Sequence, residues 1–169
     1  MSSDFKEIEP GQITDNAFKL IGTDWMLITA GTPQGFNTMT ANWGGLGYLW
    51  NKKVCFCFIR PQRHTYDFVE KEDTFTLSFF DEKHRDILNF CGAKSGRDVN
   101  KVKETGLVPV HSSSGGIYFD QARLVLECKK IYFQDVDERN FLDQKIETFY
   151  PNKDYHRMYI GEVVRCLVR

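Results

Sequence analysis

The sequence predicts a mainly β fold, either a barrel or a sandwich. Six or more runs alternate along the chain with the period of a β-strand, and turns that contain Gly and Pro separate several of them. The stretches with helical spacing are short and do not alternate regularly with the strands. A doubly wound nucleotide fold needs that alternation, so the pattern favours antiparallel strands with short helices between them.

The strands are predicted at Trp25–Ala30, Asn37–Trp43, Lys53–Ile59, Phe75–Phe80, Ala122–Cys128 and Met158–Val168. The first two flank the turn Gly31–Gly35, which predicts a hairpin. Lys53–Ile59 is apolar on both faces, which is typical of a strand covered on two sides. Beyond the fifth run the apolar alternation shifts to Ile131 and Phe133, and one extra residue near Lys129–Lys130, a β-bulge, accounts for the shift.

The helical stretches are predicted at His64–Lys71, Asp81–Phe90, Asp98–Glu104 and Asp137–Phe149. Pro61 ends the strand before the first of them, and Thr65 is placed to cap that helix. In the last stretch the apolar residues recur at helical spacing, which predicts an amphipathic helix.

Composition and charge narrow the classes of function. A chain of 169 residues with 41% hydrophobic and 27% charged residues predicts a soluble globular protein. We expect residues 1–20 to form a polar N-terminal arm and residues 21–169 to form one domain. The net charge of −1 argues against a general nucleic-acid binder. Because the longest apolar run, Val54–Ile59, is short and the N-terminus lacks a secretory signal, we expect no membrane association and a cytoplasmic location.

The five cysteines predict neither disulfides nor a metal site. An odd number at wide intervals is a poor disulfide framework. Cys55 and Cys57 form a C-x-C pair, but no second pair completes a zinc site. We therefore expect no metal and buried, reduced thiols, as in a reducing compartment.

A phosphate site is indicated where the predicted strand Lys53–Ile59 ends. Arg60-Pro-Gln-Arg63-His64-Thr65 places two arginines and a hydroxyl beside the start of a predicted helix, where free N–H groups favour anions. A solvated turn with an ordinary cap is the alternative. A second basic segment, Lys94–Lys103, has four basic residues and one Asp, and is either a solvated face or a turn that closes over an anion.

A third segment, Asn37-Thr-Met-Thr-Ala-Asn-Trp43-Gly-Gly45, is unusual for a strand. Its small side chains expose backbone groups, and its Thr and Asn side chains add hydrogen-bonding groups suited to a flat ligand. The alternative is an edge strand with polar residues turned outward. Elsewhere the sequence has no Walker loop, nucleophile elbow or H-E-x-x-H pattern. Binding features without an evident acid, base or nucleophile indicate that the chemistry belongs to a bound cofactor.

Together these residues carry a family resemblance. Four motifs occur in order over residues 20–168. They are Asn37–Trp43, Arg60-Pro-x-Arg-x-Thr65, Ser95-Gly-Arg-Asp98 with Lys101, and His156-x-x-x-x-Gly161-Glu-Val163. The chain resembles the flavin reductase-like family of FMN-binding split barrels, and within it the flavoredoxin-type branch. The resemblance implies a Greek-key split β-barrel and a homodimer with FMN at the subunit interface.

The resemblance also implies the site. It assigns the flavin ring to Thr38, Met39, Thr40, Ala41, Asn42 and Trp43. It assigns the FMN phosphate to Arg63 and Thr65, closed over by Ser95, Gly96, Arg97 and Lys101. It places His156 against the ring or its substrate pocket, as the one candidate catalytic residue. We expect Phe79, Phe80 or Trp43 to form part of the wall for a nicotinamide.

The implied function is an FMN oxidoreductase. It would pass electrons from NADH or NADPH through the flavin to free flavin, a protein partner or a metal complex, and would need no protein acid or base for the first transfer. An FMN electron carrier without nicotinamide turnover is the first alternative. A β-barrel module that binds oligonucleotides through exposed aromatics is the second, and the near-neutral charge disfavours it.

Overall fold

An eight-stranded antiparallel sheet is the central element of the computed structural model, which describes residues 4–169. The strands are β1 (Lys6–Ile8), β2 (Met26–Thr32), β3 (Gly35–Ala41), β4 (Gly44–Leu49), β5 (Lys52–Ile59), β6 (Thr74–Phe79), β7 (Pro109–His111), β8 (Ile117–Phe119), β9 (Leu124–Asp135) and β10 (Arg157–Val168). The α-helices are α1 (Ala17–Lys19), continued by a π-helical turn over Leu20–Asp24, then α2 (His64–Lys71), α3 (Arg85–Ala93) and α4 (Lys101–Thr105). The predicted mainly β split-barrel fold is confirmed.

The sheet runs in the order β3-β2-β6-β9-β10-β5-β4, with β1 added to β10, while β7 and β8 form a separate pair. The two ends of this order, β3 and β4, follow each other in sequence and are joined only by Asn42 and Trp43. Within residues 4–169 no ladder of hydrogen bonds joins them. The barrel is therefore split at this seam, and the Asn42–Trp43 link lies across it.

Two apolar clusters hold the sheet in place. The larger one lies on the face that carries Met26, Ile28, Phe75, Leu77 and Tyr159, all almost fully buried. The smaller cluster covers the other face of β2 and β9 with side chains of α3 and of the β7–β8 pair. Removal of this apolar surface from water is the main favourable contribution to folding. The seam between β3 and β4 is the open side of the barrel.

The predicted β-bulge is confirmed in β9. Ile160 of β10 pairs with Tyr132 and Gly161 pairs with Lys130, so Ile131 is the extra residue. At Gly161 the neighbouring strands leave no room for a side chain: a Cβ atom would lie 2.6 Å from Cζ of Phe75 and 2.8 Å from Cβ of Cys128. The glycine therefore allows β10 to pass close to Phe75 at the point where the register changes.

The helix predicted at His64–Lys71 has these bounds, but Thr65 does not cap it: Arg63 is the N-cap, and Thr65 lies buried within the first turn. The helix predicted at Asp81–Phe90 is observed as a 3₁₀ turn followed by α3, and the one predicted at Asp98–Glu104 begins only at Lys101.

The helix predicted at Asp137–Phe149 is wrong. This segment forms two 3₁₀ turns, Glu138–Asn140 and Gln144–Phe149, and side chains of Asp137 and Asp143 cap them. Asp143 has extended backbone, which interrupts any continuous helix. Leu142 is fully exposed, so the apolar face that would stabilise an amphipathic helix has no surface to pack on here.

All five cysteines are buried and free, as expected. Three residues of the proposed N-terminal arm form β1, which pairs with the last strand of the sheet. Across residues 4–169, every helix is too short or too polar to traverse a lipid bilayer.

Candidate functional site

A cavity of about 170 Å³ opens at the seam of the barrel. It is lined by Met39, Thr40, Ala41, Asn42, Trp43, Phe58, Arg60, Arg63 and His156. Strand pairing explains why distant residues meet there. Arg157 of β10 is opposite Ile59 of β5, so the residues just outside this pair, His156 and Arg60, emerge together at one end of the sheet. We call this the ring cavity, because its small backbone-rich wall and aromatic borders suit a flat ligand.

His156 borders the ring cavity among aromatic side chains. Its ring centroid lies 5.0 Å from that of Trp43 and 6.4 Å from that of Phe58. Its Nδ1 atom lies 2.8 Å from the Tyr150 hydroxyl. Burial, assisted by the positive charge of Arg60, lowers the pKa of His156 to about 4. The imidazole is therefore neutral at physiological pH.

A second cavity, of about 190 Å³, adjoins the first and shares the lining residues Met39 and Arg63 with it. It is lined by Asn37, Met39, Gln62, Arg63, His64, Thr65, Ala93, Lys94, Ser95, Gly96 and Lys101. The start of α2 and the turn between α3 and α4 form its walls. We call it the phosphate cavity, since it brings hydroxyl groups, backbone and basic side chains together.

Two cations at the phosphate cavity lack acidic partners. Arg63 donates a hydrogen bond to the carbonyl of Gly92 at 3.0 Å, and in the described part of the chain it forms no ion pair. The ammonium group of Lys101, 6% exposed, donates to the carbonyls of Thr38 and Cys91, each at 2.7 Å, and likewise has no carboxylate partner among residues 4–169.

The pKa values of both cations reflect this environment. Burial lowers the pKa of Lys101 to about 8, and the charge of Arg63 contributes to the lowering. Burial and the charge of Arg60 also lower the pKa of Arg63. Arg60 differs, because Asp154 accepts a hydrogen bond from its Nη1 at 2.7 Å. Buried charges are normally paired, so Arg63 and Lys101 indicate that an anion is the missing partner.

Asn37 connects the edge strand to the phosphate cavity. Its Nδ2 atom donates to the Thr65 hydroxyl at 2.9 Å. A Cβ atom on Gly96 would lie 2.0 Å from Oδ1 of Asn37, so only glycine allows the turn to approach this closely. The contact fixes β3, α2 and the Ser95–Gly96 turn relative to one another.

Most of the sequence-predicted site residues meet at these two cavities, but some have other roles. The Thr38 hydroxyl faces into the sheet, where it lies 2.8 Å from the Thr29 hydroxyl, so only the backbone of Thr38 is available near the site. Arg97 forms an ion pair with Asp67 of α2 at 2.8 Å and lies outside the phosphate cavity. It lines a larger adjoining groove instead.

Two of the three residues predicted to form the wall for a nicotinamide lie elsewhere. Phe79 and Phe80 are buried in the core and cannot face a ligand, whereas Trp43 is 40% exposed at the seam. Phe58 was not predicted as a site residue, although the alternation of β5 places it on the face opposite the buried cysteines. Tyr150, which follows the segment that was wrongly predicted as a helix, was not predicted either.

Comparison with solved structures shows the same fold at low sequence identity. The FMN-binding protein from Thermus thermophilus with bound p-hydroxybenzaldehyde has 18% identity and a TM-score of 0.68, over 96% of this chain and 78% of that chain. The flavoredoxin of Desulfovibrio vulgaris (Miyazaki F) has 19% identity and a TM-score of 0.69, over 97% and 77%. The NADH:FAD oxidoreductase of Streptomyces globisporus C-1027 has 16% identity and a TM-score of 0.67, over 87% and 76%.

A search of curated proteins found no match. The model of the flavin reductase like domain, however, matches residues 18–169, which include both cavities and nearly all of the sheet. The chain therefore belongs to the flavin reductase-like domain family.

Proposed function

We propose that this protein is an FMN-binding oxidoreductase that transfers electrons from NADH or NADPH to a small-molecule or protein acceptor. The observation that carries the proposal is a pair of cations with no acidic partner among residues 4–169, Arg63 and Lys101, at a cavity that adjoins the ring cavity. The phosphate group of FMN matches the charge, and its ring system matches the flat cavity beside it. Similarity to a flavoredoxin and to an NADH:FAD oxidoreductase supports the same class.

The fit of the residues to FMN follows from their chemistry. The phosphate would be held by Arg63 and Lys101, by the hydroxyls of Thr65 and Ser95, and by the backbone at Gly96. Residues 39–43, which line the ring cavity with backbone and small side chains, would hold the ring system. When bound, FMN supplies reversible two-electron chemistry, so the protein's own residues need only bind, orient and limit the access of water.

We also propose that the functional unit is a homodimer. Large aromatic side chains are exposed at the seam, in the turn between β4 and β5 and on β9, where they are Trp43, Trp50 and Phe133 respectively. A contiguous exposed apolar patch marks an interaction site, and Trp50 is adjacent to Tyr132 of β9, with ring centroids 5.8 Å apart. Sedimentation analysis of the purified protein should show twice the mass of one chain, whereas a monomer at micromolar concentration would contradict the dimer.

A comparison of FMN with riboflavin tests the proposed cofactor. Titration of the purified protein should quench FMN fluorescence, and riboflavin, which lacks the phosphate, should bind at least tenfold more weakly if one charge-assisted contact is lost. Failure to bind FMN would refute the proposal. Oxidation of NADH or NADPH by the loaded protein, with acceptor present, then tests the enzymatic step, and binding without oxidation would indicate an electron carrier.

The ammonium group of Lys101 predicts a pH dependence of FMN binding. The charged form favours the phosphate, and its pKa of about 8 means that the charge is lost as the pH rises above that value. FMN affinity should be constant near pH 7 and fall about tenfold toward pH 10, the scale of one contact to a charged group. Lys101→Met should bind more weakly at pH 7 and show no such fall. A flat wild-type profile, or the same slope in the variant, would contradict this role.

A further inference from the structure

In the hydrogen bond between Tyr150 and His156, the surrounding residues determine which side chain donates and which accepts. Both side chains are buried, with 6% and 8% of their surface exposed, and their polar atoms are 2.8 Å apart. Within residues 4–169 the other hydrogen-bond partner of the Tyr150 hydroxyl is the backbone N–H of His156, which can only donate to the oxygen. A buried hydroxyl needs an acceptor for its proton, and here the acceptor is Nδ1 of His156.

The charge of Arg60 favours the same direction. Its guanidinium lies over the Tyr150 ring, 4.9 Å from the centroid. A cation at the ring face draws electron density from the phenol, which makes the O–H group a better donor and the oxygen a poorer acceptor. An imidazole nitrogen is also a stronger base than a phenol oxygen. Tyr150 therefore donates and Nδ1 accepts.

The protonation state of His156 is consistent with this direction. If Nδ1 accepts a hydrogen bond, the ring carries its single proton on Nε2. The doubly protonated form would place a third positive charge beside Arg60 and Arg63, and only Asp154 opposes their effect. Burial and these two cations hold the pKa at about 4, so the neutral form dominates at pH 7.

Packing also fixes the position of the Tyr150 hydroxyl. The ring is stacked on Phe141, with centroids 6.1 Å apart and planes 19° apart, and Tyr155 lies 4.9 Å away on centroids. Arg60 is itself held by Asp154 and by the carbonyl of Phe149. In the described part of the chain Nε2 has no hydrogen-bond partner, so it is the nitrogen left for a ligand of the ring cavity.

We propose that Tyr150 is a positioning residue that holds His156 in the Nε2–H tautomer, so that the ring cavity presents a neutral N–H donor to a carbonyl oxygen of its ligand. The tautomer is a property of the protein alone, whereas the role toward a carbonyl rests on the proposed function. A flavin ring and a nicotinamide both carry such carbonyl groups. The neutral donor complements Arg60 and Arg63, which supply positive charge at the same cavity.

The tautomer can be read directly from nitrogen NMR of the ligand-free protein. In a long-range ¹H–¹⁵N spectrum of labelled protein at pH 7, Nδ1 of His156 should resonate as an unprotonated nitrogen and Nε2 as a protonated one. The signals are assigned by their absence in His156→Asn. A protonated Nδ1 in the wild type would overturn the proposal, even if every Tyr150 variant failed to fold.

Tyr150→Phe keeps the ring and removes the hydroxyl, and should give a mixture of the two tautomers. Tyr155→Phe is the matched control, because the Tyr155 hydroxyl contacts the carboxylates of Glu138 and Glu147 instead. Its spectrum for His156 should equal that of the wild type. An unchanged tautomer in Tyr150→Phe would refute the positioning role.

Two binding measurements then separate the sources of the carbonyl. Tyr150→Phe should raise the dissociation constant for FMN about three- to tenfold if the flavin provides the acceptor, or the KM for NADH by a similar factor if the nicotinamide does. Unchanged values for both would overturn the role toward a ligand. Absence of FMN binding in the wild type would refute the proposed function and leave the NMR result as an independent test of the tautomer.

Discussion

Replacement of Arg63 by alanine should weaken FMN binding by about 1.5–3 kcal/mol, which is about a 10- to 150-fold increase in the dissociation constant. Arg63 has no acidic partner among residues 4–169 and donates only to the carbonyl of Gly92. The rest of its guanidinium is therefore free to form charge-assisted hydrogen bonds with the phosphate. Fluorescence titration with FMN at pH 7 measures the change.

Riboflavin and a second arginine provide the controls for this prediction. Arg63→Ala should reduce FMN affinity far more than riboflavin affinity, because only FMN carries the phosphate. Arg169→Ala is the control variant: its guanidinium is paired with the carboxylate and the carbonyl of Asp120 and lines neither cavity of the site. An FMN affinity that is equal in Arg63→Ala and the wild type would disprove the phosphate assignment.

Replacement of Gly161 by alanine should lower the free energy of unfolding by about 3 kcal/mol, the upper part of the range for an overpacked core. The new methyl group would lie 2.6 Å from Phe75 and 2.8 Å from Cβ of Cys128, both of which are almost fully buried. Neither neighbour can move into solvent, so β10 or Phe75 must shift. Urea-induced unfolding of the wild type and the variant measures the difference.

Gly45→Ala, on β4 of the same sheet, is the matched control. A Cβ atom there would meet only Cδ2 of Phe56 at 3.6 Å, an ordinary contact. Since alanine loses less backbone entropy than glycine on folding, this variant should be as stable as the wild type or slightly more stable. Adding Phe75→Leu to Gly161→Ala should recover part of the loss, because it removes the nearest atom. Equal effects of the two glycine substitutions would contradict the steric explanation.

Features that depend on local sequence were predictable. Pro61 and the pattern after it gave the bounds of α2, and the shift in alternation after Cys128 gave the β-bulge, observed at Ile131. Both arise from constraints that act within a few residues: the missing N–H of proline and the alternation of a strand. The four motifs that carry the family resemblance, occurring in order, predicted which residues form the site.

Features that depend on distant packing were not predictable. Spacing alone predicted a helix at Asp137–Phe149, but an amphipathic helix forms only where another surface covers its apolar face. The role of Lys101 rests on carbonyls at Thr38 and Cys91, and the former is 63 positions away in the sequence. Likewise, the Arg60 guanidinium lies over the Tyr150 ring although 90 positions separate the two residues in the sequence. Such contacts are fixed by the fold and leave no periodic signal.

The seam between β3 and β4 has a consequence for hydrogen exchange. As an edge strand, β3 directs alternate amide groups away from β2, and no ladder within residues 4–169 protects them. These amides should exchange rapidly with deuterium in the ligand-free protein, although hydrogen bonds to β2 hold the other edge of the same strand. A bound ring would cover this edge, so the slowing of exchange along residues 39–43 would map the ligand onto the strand without any assay of turnover.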